Sequence, residues 1–294
     1  MSKIQIMTDS ASDISTEDEN RYHISILPIQ VSLGGKSYAS RVDLNNEQFY
    51  ALMARHDEIP KTSQITPFEF QEIYAKAAED GVTDLILVLI NSKGSATFDN
   101  SRTAKDLFFE EHPEYREKLR IYNIDGMGYN ALYGAPVVYA AQMLEKGASA
   151  EEIVAYLTDI LPRRQIFFGI YELKYASKSG RIPTAAAFLG DKLNLKPVMN
   201  IFNNEITTAA KCRGEKRLIA KLVELGAAEM EPGTPYEVIY GCDHTCRDEV
   251  EQAMTERLGY GPAGAYQIGA AVAANAGPKV SGVCFTRRKD PGQN

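Results

Sequence analysis

Cysteine, histidine and positive charge are all scarce in this chain, and each shortage removes a class of function. Four cysteines in 294 residues (Cys212, Cys242, Cys246, Cys284) are too few for a disulfide framework, and no basic segment leads into an apolar stretch at the N-terminus. Free thiols in a reducing cytoplasm are therefore expected. The histidines are His23, His56, His112 and His244, few candidates for general-base chemistry, and neither Gly-x-Ser-x-Gly nor His-Glu-x-x-His occurs. Lys and Arg number 32 against 39 Asp and Glu, a net charge of -7. That balance disfavours nucleic acid and an anionic membrane surface as partners. No apolar run approaches the roughly 18 residues of a membrane span.

What is present is an ordinary globular composition, 44% hydrophobic and 24% charged, in a chain long enough for two domains. In the first half apolar strands alternate with helical periods. Residues 3–7 run into a polar loop and a helix start at Ser15, 24–33 and 38–42 read as a hairpin around Gly34-Gly35, and a helix begins at Asn46. A helix over 68–78 precedes the unbroken apolar run 85–90, which suits a parallel strand covered on both faces. A helix after Asn100, a strand over 119–124 and a helix over 130–145 complete a doubly wound pattern. Ser149-Ala150-Glu151-Glu152 is a capping box, and the strand expected from 165 to 173 marks a boundary, giving domains 1–162 and 163–289. Beyond it, a hairpin over 197–201 and 206–211, strands over 236–240 and 281–286, and helices over 215–230 and 248–258 predict a mixed or antiparallel sheet.

Most motif-like segments read more simply as structure. Gly35-Lys36-Ser37 has the tail of a phosphate-binding loop, but its first glycine is replaced by Gln30. Gly126-Met127-Gly128 lacks the third glycine of a dinucleotide fingerprint. Cys242-Asp243-His244-Thr245-Cys246 offers three soft ligands where structural zinc needs four, so a strand end followed by a helix cap is favoured. Three hydroxyl-rich loops remain, each behind an apolar element: Thr8 to Ser12, with Ser10 at its centre; Thr62-Ser63-Gln64; and Ser92 to Thr97. Singly these are turns or caps, yet in a doubly wound sheet the loops behind strand ends converge on one crevice. Asp9, Asp13 and Asp125 stand at the same strand ends. They cap helices or, alternatively, hold Mg²⁺ in an enzyme acting on a small phosphorylated or carboxylated substrate.

Read in order, Thr8-Asp9-Ser10-Ala11-Ser12-Asp13-Ile14, Thr62-Ser63-Gln64 with Pro67, Ile90 to Phe98, Leu173-Lys174-Tyr175 with Gly180-Arg181-Ile182, Leu195-Lys196-Pro197-Val198 and Gly277-Pro278 resemble the DegV family along nearly the whole chain. The resemblance implies an N-terminal Rossmann-like lobe and a second α/β lobe. It further implies one long-chain fatty acid in a tunnel between them, with no catalysis and no cofactor. By that likeness Thr62 and Ser95 hold the carboxylate, with Ser10 and Asn275 beside it, and the acid is presented to a fatty-acid kinase for phospholipid synthesis. Residues 185–189 line the apolar slot or pack a core, and Arg181, Lys211 and Arg213 either offer a docking face to an acidic partner or are ordinary exposed cations. The chain departs from the family pattern at Gly94-Ser95-Ala96-Thr97 and Gly126, at Asn275 where a histidine is usual, and at Lys279 where a glycine is usual. Those departures open a third reading, a sensor or scaffold whose lipid slot is vestigial.

Overall fold

The computed structural model describes residues 2–182 and 195–289; residues 185–189, expected to line a slot, lie outside them. The first half contains strands β1 (Ile4–Asp9), β2 (Ser25–Leu27), β3 (Gln30–Leu33), β4 (Lys36–Ala39), β5 (Lys61–Ser63), β6 (Asp84–Leu89) and β7 (Arg120–Asp125). Its helices are α1 (Thr16–Arg21), α2 (Asn46–Arg55), α3 (Pro67–Glu79), α4 (Thr97–Glu111), α5 (Ala131–Glu145) and α6 (Ala150–Ile160). Strand order β2-β1-β6-β7, every pair parallel, sends the chain outward in opposite directions from β1 and β6. The crevice of a doubly wound sheet therefore falls between the ends of those two strands.

The apolar run at β6 does what an unbroken run should. Leu85, Leu87 and Leu89 face Phe70 and Tyr74 of α3 and Phe108 of α4, while Ile86 and Val88 face Tyr133 and Val137 of α5 and Ile153 of α6. The hairpin expected over 24–33 is split instead. Pro28 has no N–H to give a ladder, so β2 joins the parallel sheet and β3 pairs β4. On its other edge β3 pairs the three-residue β5, with Thr62 opposite Val31.

The second half contains β8 (Arg164–Ile170), α7 (Leu173–Ser179), β9 (Leu195–Phe202), β10 (Glu205–Arg213), α8 (Glu215–Glu229), β11 (Tyr236–Tyr240), α9 (His244–Leu258), β12 (Gly264–Gln267), α10 (Ala270–Ala276) and β13 (Val280–Thr286). Its sheet runs β10-β9-β8-β13-β11-β12 and is antiparallel except for the β11–β12 pair. The expected mixed sheet is thus present, although β8 ends at Ile170 and Leu173 already belongs to a helix. One face carries α8 and α9 through Leu218, Leu222, Val250 and Met254. The other, with Ile166, Phe168, Met199 and Ile201, shares a core with Val31, Phe49 and Met53 of the first half and with the alanines of α10.

Helix α5 is apolar on every side because both sheets cover it: Ala131 joins the shared core and Tyr133 the parallel-sheet core. Its Gly134 lies where a Cβ would stand 2.3 Å from the Ser12 carbonyl oxygen. Gly134→Ala gains about 1 kcal/mol of helix propensity but forces that contact apart, and overpacking costs about 1–3 kcal/mol. The expected net result is a lower urea midpoint at unchanged m-value.

Candidate functional site

Three aspartates at strand ends shape the crevice. Asp9, fully buried at the end of β1, accepts the Ala11 N–H at 2.9 Å and the Tyr133 hydroxyl at 2.7 Å on one oxygen, and the Ile90 N–H at 2.6 Å on the other. It thereby ties the loop behind β1 to the loop behind β6. Asp13 accepts the Gly269 N–H and the Asn130 Nδ2–H, each at 2.8 Å, linking the first half to the start of α10. Asp125 accepts from Ser92 N at 3.2 Å, Met127 N at 2.9 Å and Asn204 Nδ2 at 3.0 Å. These oxygens are occupied as caps and ties. Burial pushes the Asp9 carboxyl up to about 6 and the Asp13 carboxyl up to about 7, against the hydrogen bonds that favour their ionised forms.

Residues of both halves line a cavity with about 900 Å³ of space free of protein atoms, counting the solvent at its open mouth. Its lining combines apolar side chains, among them Ile166, Phe168, Ile201, Ile239 and Val280, with the hydroxyls of Thr62, Ser63, Ser95 and Tyr129. Pairing of β5 with β3 fixes Thr62. Ser95 stands two residues before the start of α4, donating to the Thr97 hydroxyl at 3.0 Å and accepting the Thr97 N–H at 3.2 Å. Ala96 gives no side-chain cap while Ser95 takes the first N–H of α4, so the positive end of this 15-residue helix lies beside Ser95 and favours an anion there. At Gly94 a Cβ would meet the Tyr129 hydroxyl at 1.9 Å, so only glycine lets that ring cross the loop.

Of the residues singled out from sequence, Thr62, Ser95 and Asn275 line this cavity, and so does Arg181. The arginine expected on a docking face is thus at the cavity, while Arg213 is exposed at the end of β10 and not among the lining residues. Ser10 is fully buried, accepts the Ile29 N–H at 3.0 Å, and is not among the lining residues. Asn275 donates to the Ala271 carbonyl at 3.0 Å, one helical turn back. Lys279 turns away, 2.9 Å from Asp243 and 3.3 Å from Glu215. Asp243 caps α9 through the Thr245 N–H at 3.0 Å, as the strand-end reading of Cys242 to Cys246 requires, and Gly34 and Gly35, both at positive φ, make the β3–β4 turn. Tyr129 and Asn130 line the cavity without having been singled out. Their only sequence signal was the Gly126-Met127-Gly128 turn that precedes them.

Fold and cavity define an α/β protein with a parallel and a mixed sheet whose largely apolar cavity is lined by residues of both halves of the chain. A family model described as "Uncharacterised protein, DegV family" matches residues 3–288, and the chain belongs to the DegV family. It is 30% identical over 294 residues to a DegV domain-containing protein of Caldanaerobacter subterraneus subsp. tengcongensis, covering 98% of this chain and all of that one. A stearic acid-binding protein of Eubacterium ventriosum has the same fold at a TM-score of 0.87 and 24% identity, with 98% of each chain covered. A DegV family protein of Thermus thermophilus, described by its fatty acid binding, matches at a TM-score of 0.81 and 26% identity over 97% of this chain and 99% of its own. Among the described residues no helix is long and apolar enough to cross a membrane.

A carboxyl raised by folding stabilises the protein below its unfolded pKa, and that contribution disappears as pH climbs through the folded value. Stability is therefore expected to fall between about pH 4 and about pH 7 on account of Asp9 and Asp13. Urea titrations of Asp13→Asn should show a flatter profile over that window than the unmodified protein.

Proposed function

We propose that the cavity holds one long-chain fatty acid, its tail along the apolar wall and its carboxylate at the Thr62 and Ser95 hydroxyls. The observation that carries this reading is a largely apolar cavity that also bears the Thr62 and Ser95 hydroxyls, with Ser95 just before the N-terminus of α4. At about 0.8 kcal/mol per buried methylene, a chain of roughly 16 carbons supplies on the order of 10 kcal/mol, so few headgroup contacts suffice. Neutral hydroxyls satisfy a carboxylate without tying up both oxygens, as a bidentate arginine would. One oxygen stays free to attack.

The protein is then a carrier rather than an enzyme, needs no cofactor, and works in the cytoplasm. Its 1–162 and 163–289 lobes close on the acid, and the chemistry belongs to a fatty-acid kinase to which the acid is presented. Arg181, exposed and lining the cavity, is suited to such an encounter. Support for the carrier over a metal-dependent enzyme comes from Asp9, Asp13 and Asp125, whose oxygens already accept N–H and O–H groups. The apolar cavity also weighs against a vestigial slot.

The test is mass spectrometry of an organic extract of the purified protein. A near-stoichiometric fatty acid is expected, and Thr62→Ala or Ser95→Ala should each weaken retention about tenfold, the value of one hydrogen bond to a charged group. An extract that is empty, and stays empty after incubation with fatty acids, refutes the proposal.

A further inference from the structure

Asn130 is 2% exposed, lines the cavity, and has a side-chain carbonyl with no hydrogen-bond partner. Among the described residues it is the one that combines all three. An orphaned buried acceptor costs about 1–3 kcal/mol unless something fills it. The backbone works to hold it there: Asn130 adopts φ 55°, ψ -138° just before α5, a conformation costly for any residue with a Cβ, and its N–H is fixed to the Ala11 carbonyl at 2.7 Å.

We propose that Asn130 is a further headgroup contact, and that Asp13 decides which of its amide atoms meets the ligand, so that a carboxylate is taken up together with one proton on Asp13. While Asp13 is ionised it can only accept, so the Asn130 NH₂ turns to it and the carbonyl is left for the ligand. A carboxylate brings no donor to that carbonyl and is repelled by it. When Asp13 takes a proton from solvent, its O–H donates to the Asn130 carbonyl, the amide turns over, and the NH₂ becomes a donor to the carboxylate. The Gly269 N–H keeps its acceptor on the other Asp13 oxygen throughout.

The surroundings permit the exchange near neutrality. Arg41, from the loop behind β4, favours ionised Asp13 but is engaged with Glu19 and the Ile14 carbonyl, while Asp9 at the end of β1 opposes it. Tyr50 from α2 and Tyr133 from α5 also face Asp13, as phenols that burial holds neutral. Burial of Asp13 raises its carboxyl to about 7, so the proton is available at modest cost. A ligand ending in a hydroxyl needs no such exchange, because its O–H donates to the Asn130 carbonyl directly.

This inference rests on the fatty-acid reading, and the closing experiment separates the two. Palmitate and hexadecanol are titrated calorimetrically into the delipidated full chain at about pH 8, in two buffers of different ionisation enthalpy, which counts protons taken up. Close to one proton per palmitate and none per hexadecanol is expected, with palmitate binding weakening up to tenfold per pH unit above about pH 7. In Asp13→Asn the new amide donates to the Asn130 carbonyl permanently, so palmitate should bind without proton uptake and without the pH slope. In Asn130→Ala both the uptake and the slope should disappear, at weaker affinity. Palmitate binding to the unmodified chain with neither uptake nor slope overturns the inference. Uptake that persists in Asn130→Ala also overturns it, and in both variants would mean that the acid arrives with its own proton. If neither ligand binds at any pH, the fatty-acid reading itself fails.

Discussion

Everything at the crevice depends on one buried carboxylate. Asp9 sits where β1 ends beside β6, and its two oxygens gather the Ala11 and Ile90 N–H groups and the Tyr133 hydroxyl. Removing a carboxylate from water costs several kcal/mol, and among the described residues no cation pairs with this one at hydrogen-bond distance. Three donors offset part of that cost, and in return two loops and a helix are set by a single side chain. Asp13 and Asp125 repeat the device further out, reaching Gly269 before α10 and Asn204 in the β9–β10 turn. The two sheets are thus joined by polar ties as well as by the shared apolar core.

This explains which parts of the molecule were legible in the sequence. Strand β6 and helices α3, α5 and α6 carry long runs or capping boxes, and local physics decides them. Pro28 could be seen but its consequence could not, because only the partner strands reveal that β2 belongs to one sheet and β3 to another. Strands β5 and β12 have three and four residues, too short for any period, and α10 is an alanine run that forms where two sheets meet. Tertiary context chose those elements.

The same division runs through the site. Thr62 and Ser95 were visible as hydroxyl-bearing segments behind apolar elements, but only Ser95 lies in a loop behind a strand of the parallel sheet, and Thr62 reaches the cavity from the short strand β5. Ser10 shares that pattern but serves the Ile29 backbone, since a buried N–H without a strand partner takes the nearest acceptor. Tyr129 and Asn130 left no chemical signature, because a tyrosine and an asparagine after a turn are unremarkable until Gly94 admits the ring and positive φ aims the amide.

The two late departures from the family pattern have separate consequences. Lys279 points away from the cavity into an ion-pair cluster with Asp243 and Glu215 and lies over the Tyr171 ring, tying the loop before β13 to the starts of α8 and α9. Only Asn275 bears on the cavity. An amide there does not titrate near neutrality, whereas a histidine would. The lining is left with three carboxamides, Gln64, Asn130 and Asn275, beside hydroxyls and Arg181, and an amide exchanges no proton at physiological pH. The nearest carboxyl able to do so is Asp13, one hydrogen bond behind Asn130. On the proposed reading, proton sensitivity at the headgroup lies behind the lining, at Asp13, rather than on it.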